Sequence, residues 1–257
     1  MKPKALVLQA HGSNRDIDVM DALTLAGADA AGIPLNEMRI RKTLPADYQL
    51  LVVPGGFSYA DALGAGKLLA LDLASYFADE LAAFVETGKP VIGICNGFQA
   101  LLKAAILPGN SNNGQSTLTF NAKGHFECRW VNLKPVSEIC IWTKNLNDGI
   151  TCPVAHGEGN FQTTPPFSIS SFIEQDQIAL TYIHADGLPA RGEYPINPNG
   201  SVHDIAGICN PQGNVLGLMP HPENHIHGWQ HPRHTRGQTS GSGLRLFENG
   251  VSHAKQI

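Results

Sequence analysis

Val91-Ile92-Gly93-Ile94-Cys95-Asn96-Gly97-Phe98-Gln99 reads as a strand handed directly into a helix. Val91 to Ile94 is a short apolar run of the kind that forms a buried strand. From Asn96 to Ala105, the residues Phe98, Leu101 and Leu102 recur at helical spacing. Cys95 falls at the turn between them. Gly93 and Gly97 stand two residues to either side, which is the nucleophile-elbow pattern with sulfur in place of the serine oxygen. Small residues there let strand and helix approach closely while the turn lifts the side chain out at the sheet's edge. The free N–H groups and positive dipole end of the helix start favour thiolate over thiol. A buried cysteine with a packing role alone would leave the same short pattern, so the decision rests on the flanking chain.

Upstream, Ala5 to Leu8 is an apolar strand followed by the polar loop Gly12 to Asp16. Val19, Leu23, Ala26 and Ala30 follow at helical spacing, with Gly32 and Pro34 as stop signals. A second strand is expected around Met38 to Ile40. A third, Tyr48 to Val53, is halted by Pro54-Gly55-Gly56. Leu68 to Val85 is expected to be one long amphipathic helix ending at Gly88, after which Pro90 leads into the elbow strand. Strands alternating with helices argue for an α/β fold, a doubly wound, mostly parallel sheet flanked by helices. The site of such a sheet lies beyond the carboxyl ends of its strands. The loops Gly12 to Asp16, Gly55 to Asp61 and Cys95 to Gly97 therefore converge there.

Downstream the character changes. From Leu107 to Gln162 the chain turns to Asn, Gly, Ser and Thr with short β-rich pieces, Phe126 to Leu133 and Ile139 to Thr143. These read as antiparallel hairpins decorating the main sheet, an insertion around residues 107–165 of a single domain spanning 1–257. Ile178 to Ile183, Ile205 to Cys209 and Val215 to Met219 return to strand-like runs, the last stopping at Pro220-His221-Pro222-Glu223. Asn224 to Gly243 reads as a long polar, His-rich loop, and Leu244 to Glu248 as a short helix.

At 257 residues, with 42% hydrophobic and 16% charged content, the composition is that of a soluble globular protein with a sizeable core. The formal charge of -4 and pI of about 6.2 supply no basic field for nucleic acid. Five cysteines, an odd number without any C-x-x-C spacing, suggest neither a disulfide framework nor a thiolate zinc site. A reducing cytoplasm is the expected location. Lys2 to Leu8 is too short for a secretory core, and no apolar run reaches membrane-spanning length.

A cysteine nucleophile needs a base that moves its proton and a third group that orients the base. Among 11 histidines, His221 stands at a strand end. Pro222 biases it toward extended backbone, where residues i and i+2 point the same way, so Glu223 can lie beside the imidazole. A surface turn would also explain His-Pro-Glu taken alone. Combined with the elbow, a Cys95–His221–Glu223 triad is the better reading. Gly55-Gly56 at the end of the third strand lets backbone N–H groups enter the site unobstructed. With the N–H of Asn96 they can form an oxyanion hole, whose donors are worth about 2.7–4 kcal/mol each in the transition state. Two other motifs fall away. Gly64-Ala65-Gly66-Lys67 lacks the first glycine and the final Ser/Thr of a phosphate loop. The histidines at 221, 225, 227, 231 and 234 sit on a Gly/Pro-rich loop with no fixed face, so no metal site is expected. Nothing places His203 and Asp204 near Cys95.

Gly-Ile-Cys-Asn-Gly-Phe-Gln (93–99), Met-Pro-His-Pro-Glu (219–223) and Pro-Gly-Gly-Phe-Ser-Tyr (54–59) together resemble the class I (triad) glutamine amidotransferases. Gly12 to Asp16, Ala155 to Gly159, Asn197 to Ser201 and Asp204 to Ile208 extend the likeness. Within that family they resemble the glutaminase subunits of phosphoribosylformylglycinamidine synthases, through nearly the whole chain from Leu6 to Phe247. The resemblance implies that Cys95 attacks the side-chain amide of L-glutamine, that His221 moves the protons, and that Glu223 orients His221. It also implies oxyanion-hole roles for Gly56, beside Gly55, and Asn96, a glutamine-pocket role for Gln99, and substrate contacts from His156 and Gly157. ATP and Mg would be used by the partner, not by this chain. The implied partners are a large synthase subunit and a small accessory subunit, with no nucleic acid and no membrane. Two positions depart from the family pattern: Asn224 stands where arginine is common, and His11-Gly12 where Pro-Gly is common. Both concern loop geometry or partner contacts, since neither removes a catalytic group. A stand-alone cysteine amidohydrolase and a non-catalytic assembly subunit are the alternatives.

Overall fold

The structure, a computed structural model, describes residues 1–41, 45–109, 116–163, 169–238 and 241–257. Residues 110–115, 164–168 and 239–240, within or beside the β-rich insertion and the His-rich loop read from sequence, lie outside the described residues. In chain order the elements are β1 (Lys4–Gln9), α1 (Asp16–Leu25), β2 (Asp29–Pro34), α2 (Leu35–Arg41), β3 (Leu50–Val53), α3 (Lys67–Tyr76), α4 (Ala78–Glu86), β4 (Val91–Ile94) and α5 (Asn96–Lys103). They continue with β5 (Ser116–Thr119), β6 (Glu127–Pro135), β7 (Ile150–His156), β8 (Asn160–Thr163), α6 (Ile169–Glu174), β9 (Ile178–Ile183), β10 (Ile205–Cys209), β11 (Val215–Leu218) and α7 (Leu244–Ala254).

Nine of the strands make one mixed sheet in the order β2-β1-β3-β4-β11-β10-β9-β6-β7, and β5 pairs with β8 in a separate ribbon. From β2 to β11 every pairing is parallel. From β11 to β7 every pairing is antiparallel. The residue patterns follow from these positions. Strands β3, β4 and β11 are buried at every residue, as a parallel centre covered on both faces demands. Strand β7, at one edge, alternates buried and half-exposed residues. The buried apolar side chains form one cluster that runs through both halves of the sheet.

Several local expectations are corrected. The second strand is Asp29–Pro34, and Met38 to Ile40 belongs to α2. As an edge strand paired only with β1, β2 gets by with the weakly apolar sequence Asp-Ala-Ala-Gly-Ile-Pro. Helix α1 accordingly ends at Leu25, before Gly27 with φ +95°, and Ala30 is already in β2. The expected long helix is two, because Phe77 leaves helical geometry at φ −137° while burying its ring. Ile139 to Thr143 contains a short 3-10 turn at Ile141–Thr143, not a strand, and buries Trp142 completely. The expected β-rich piece Phe126 to Leu133 falls in β6, which pairs antiparallel with β7, a strand not singled out from sequence, and the two continue the main sheet instead of decorating it. Asn224 to Gly243 carries 3-10 turns, and the last helix extends to Ala254.

Register is what assembles the site. Val53 lies opposite Gly93, and Leu218 opposite Ile94, so β3, β4 and β11 end side by side. The Cys95 N–H continues the ladder to Leu218 O at 2.8 Å. Gly55, Cys95 and His221 therefore leave three adjacent strands at the same edge.

Candidate active site

Cys95 occupies the turn between β4 and α5 with φ 50°, ψ −106°, outside the regions ordinary L-residues populate. Its flanking glycines explain how the strand-to-helix turn packs so tightly. A Cβ on Gly97 would lie 1.9 Å from Val53 O, and one on Gly93 would lie 2.5 Å from Leu101 Cδ1 and 2.8 Å from Gly97 O. The thiol sits 3.7 Å from Ala155 O at the end of β7.

His221 follows β11, and its N–H is tied to Pro153 O at 2.8 Å. Its Nδ1 is 2.7 Å from Glu223 Oε1, with the carboxylate fully buried. Nε2 makes no complete hydrogen bond to a described residue, yet it is near enough to the Cys95 sulfur for that sulfur to help hold its proton. Burial by itself lowers an imidazole pKa. Here the Glu223 carboxylate and the Cys95 sulfur override it, and His221 is pushed up to about 10. Gly55 permits the approach: a Cβ there would stand 2.8 Å from His221 Cε1 and 3.5 Å from Cys95 Cβ.

A cavity of about 150 Å³ opens onto Cys95, walled by Gly56, Asp61, Gln99, His156, Gly157 and Glu158 among others. Gly56 holds φ +132°. Among the described residues no acceptor takes its N–H, and the Asn96 N–H opens α5, where no intrahelical acceptor exists. The Asn96 side chain turns away and is saturated. Its Oδ1 accepts from Ser58 Oγ (2.5 Å) and Ser58 N (3.2 Å), while its Nδ2 donates to Asp61 Oδ1 and Gln99 Oε1, both at 3.0 Å. Gln99 then donates to Glu158 O at 2.6 Å. One amide thus ties the start of α5 to the Gly55–Asp61 loop and, through Gln99, to the His156–Gly159 loop.

His156 is buried against Gly159, with Nδ1 3.1 Å from Asn121 Oδ1. Burial first, and the nearby His221 second, push its pKa down to about 3. Of the residues singled out from sequence, Cys95, Gly56, Gln99, His156 and Gly157 border the cavity, and His221 and Glu223 stand behind Cys95. Gly55 packs against the imidazole. Ser58, Asp61, Asn121 and Glu158 were not singled out. Ser58 and Glu158 did lie inside recognised motifs and Asp61 at the end of the Gly55 to Asp61 loop, but nothing marked Asn121.

The other motifs have structural work. The Asp204 carboxylate accepts from the backbone N–H groups of Arg191 and Gly192 and from Asn197 Nδ2. His225 bonds Thr151 O and packs beside Trp130 with His231, and His227 stacks on Trp229. Gly12, at φ +86°, admits Phe57 O where a Cβ would be 2.2 Å away, so the first loop clasps the Gly55–Tyr59 loop. Asn224 Nδ2 reaches Asp18 Oδ2 at 2.9 Å. No helix among the described residues is long and apolar enough to cross a membrane.

A nucleophile elbow on a mixed α/β sheet, with a buried His–Glu pair behind the cysteine, defines the class. Residues 2–254 match the family model of the CobB/CobQ-like glutamine amidotransferase domain, and the chain belongs to that family. Its relatives are more particular. The chain is 55% identical over 241 residues to the phosphoribosylformylglycinamidine synthase subunit PurQ of Treponema denticola, covering 88% of this chain and 89% of the relative. It is 41% identical over 261 residues to the corresponding subunit of Dehalococcoides mccartyi, covering 100% and 99%. Among solved structures it resembles a chain of PurLQS from Thermotoga maritima, with a TM-score of 0.75, 31% identity, and coverage of 98% and 99%. A putative GMP synthase component from Thermoplasma acidophilum, at 14% identity and TM-score 0.59 over 100% and 96%, shares the fold.

Proposed function

We propose that this chain is the glutaminase subunit of a phosphoribosylformylglycinamidine synthase. It cleaves L-glutamine to glutamate and ammonia and hands the ammonia to a synthase that converts formylglycinamide ribonucleotide to formylglycinamidine ribonucleotide in purine biosynthesis. The observation that carries this reading is the meeting of Cys95, His221 and Glu223 at one edge of the sheet, beside a small cavity.

In the reaction, the Cys95 sulfur attacks the side-chain carbonyl carbon of glutamine, and the oxyanion is received by the N–H groups of Gly56 and Asn96. The C–N bond breaks as His221 passes its proton to the departing nitrogen, leaving a γ-glutamyl thioester. His221 then takes a proton from water, whose oxygen attacks the thioester carbon. The C–S bond breaks, and glutamate and the thiol are released. Glu223 holds the imidazole in the tautomer and orientation these transfers need. The elevated pKa of His221 suits it to take the Cys95 thiol proton as the sulfur attacks and to hold that proton until the nitrogen departs. Gln99, His156 and Gly157 border the cavity where glutamine would sit. The chain supplies no cofactor of its own in this reading. The large subunit uses ATP and Mg²⁺, and a small accessory subunit completes the complex. The whole works in the cytoplasm, with this chain as one 1–257 domain.

The test is Cys95→Ala in the reconstituted complex. Glutamine-supported synthesis should fall by about three orders of magnitude or more, while synthesis fed with ammonium salt persists. Glutamine-supported synthesis that survives the substitution overturns the assignment.

A further inference from the structure

The cavity beside Cys95 carries two carboxylates, Asp61 and Glu158. Asp61 is delivered by a strained turn in which Tyr59, Ala60 and Asp61 hold φ of 55°, 54° and 54°. Such left-handed residues cost about 1–2 kcal/mol each and persist where surrounding contacts enforce them, often at functional sites. Here Tyr59 OH is fixed by the Asp72 carboxylate and Tyr59 N by His11 O. The hydrogen-bond donors to Asp61 are neutral: Asn96 Nδ2 at 3.0 Å and the Gly66 N–H. Burial and the neighbouring Glu158 both disfavour its charged form. Glu158 Oε1 accepts from Ala65 N at 3.4 Å, and Oε2 stands 4.0 Å from Lys103 Nζ, which also donates to Ala65 O. Two carboxylates against one half-buried ammonium leave an excess negative charge at the cavity.

A second observation concerns His156. Asn121 Nδ2 donates to His125 O (3.0 Å) and His156 O (2.8 Å), so its Oδ1 is the acceptor and His156 Nδ1 carries the proton. The lone pair on Nε2 is then buried without a partner among the described residues, on a ring that borders the same cavity and is 3% exposed. Two carboxylates and a neutral imidazole nitrogen call for a ligand rich in N–H donors and positively charged.

We propose that Asp61 and Glu158 receive the α-ammonium group of the amino-acid amide, with His156 Nε2 accepting another N–H of the same molecule, so that the site selects glutamine over amides lacking the α-amino group. This rests on the glutaminase reading and names which end of the substrate is recognised. A site built to pair a charged donor rejects the analogue without it strongly, because its own buried groups are left unpaired. The charge-assisted bonds lost are also the stronger kind.

The test uses two electrophiles on the full chain with the synthase subunits present: a chloromethyl ketone analogue of glutamine, and the same reagent without its α-amino group. Labelling of Cys95 is followed by peptide mapping, and the ratio of the two rates is the readout. The unaltered protein should favour the amino-bearing reagent by about tenfold or more. Asp61→Asn keeps an oxygen for Asn96, and Glu158→Gln keeps one for Ala65, so each removes charge with little change in shape. Each should lower the ratio by about tenfold. A ratio near one in the unaltered protein overturns the proposal. So does an unchanged ratio in both variants, whether or not the two rates fall together, since that is what a merely structural role would give. Failure of both reagents to label Cys95 in the unaltered protein sinks the glutaminase reading itself, and this inference with it.

Discussion

Glu223 and His221 form a buried pair joined by a 2.7 Å hydrogen bond, and the proposed proton transfers run through its imidazole. Glu223→Gln can donate an N–H to Nδ1 and favour the wrong tautomer, so glutamine hydrolysis should slow by about a hundredfold or more while Cys95 remains open to alkylation. A loss under about threefold would mean that another group orients the imidazole. Cys152 should not compete for the label, since burial first and Glu223 second hold its thiol well above the usual range. The same residues make opposite statements about stability. His221, raised to about 10, contributes stability that is complete below the unfolded-state value of 6.5 and is lost as pH climbs through about 10. His156, lowered to about 3, is bound neutral. The unfolded chain takes up its proton first, so its share is present above 6.5 and is lost as pH falls toward about 3. His156→Gln should therefore flatten the acid side of a plot of urea-unfolding free energy against pH. An acid limb as steep as that of the unaltered chain would contradict the assignment.

At the scale of elements, the junction of β4 and α5 depends on two missing side chains. Gly97→Ala would put a methyl 1.9 Å from Val53 O, and backbone cannot yield as a flexible side chain does. Overpacking of this kind costs about 1–3 kcal/mol or more, so urea unfolding should show at least that loss, and the labelling rate of Cys95 should fall as the elbow shifts. Unchanged stability and labelling would mean that strand and helix are not held in contact there. This junction was legible in the sequence because both glycines lie within two residues of the cysteine. His221 and Glu223 were legible for the same reason, being neighbours along one extended segment. What escaped was set by structure remote in sequence. The fours spacing Leu69, Leu73, Phe77, Leu81 runs unbroken through the kink at Phe77, so periodicity could not separate α3 from α4. Strand β2 is an edge strand with little apolar signal. Asn121 acquires its role by meeting His156 across 35 positions of chain. Asp61 is carried into place by left-handed backbone that nothing in Ser-Tyr-Ala-Asp announces.

At the scale of the whole molecule, the sheet divides the work. The parallel half supplies Cys95, Gly56 and the elbow, and β11 at its border supplies His221. The antiparallel half contributes Ala155 and His156 from the end of β7. Around the cavity stand large apolar side chains left in solvent. Phe120 is 71% exposed, and Phe57 and Phe126 stack at 6.4 Å while both remain exposed. Leu63 and Leu71 add to this face beside Glu158. A contiguous apolar rim of this kind suits a surface that is covered in an assembly. Ammonia released into neutral water would mostly pick up a proton and lose its nucleophilic lone pair, so a divided enzyme gains by cleaving glutamine only when the acceptor is ready. The Gly55–Tyr59 loop is the element through which docking can reach the chemistry. It carries the Gly56 N–H, it is clasped by Gly12, and its Phe57 ring lies on the exposed rim. The chain alone should therefore release glutamate slowly. Adding the large synthase subunit, the small accessory subunit, ATP, Mg²⁺ and formylglycinamide ribonucleotide should raise kcat by about tenfold or more. Phe57→Ser should weaken that activation while leaving the slow release by the isolated chain measurable. Full turnover by the chain on its own, with no increase on adding the synthase, would refute gating and favour a stand-alone amidohydrolase on the same fold.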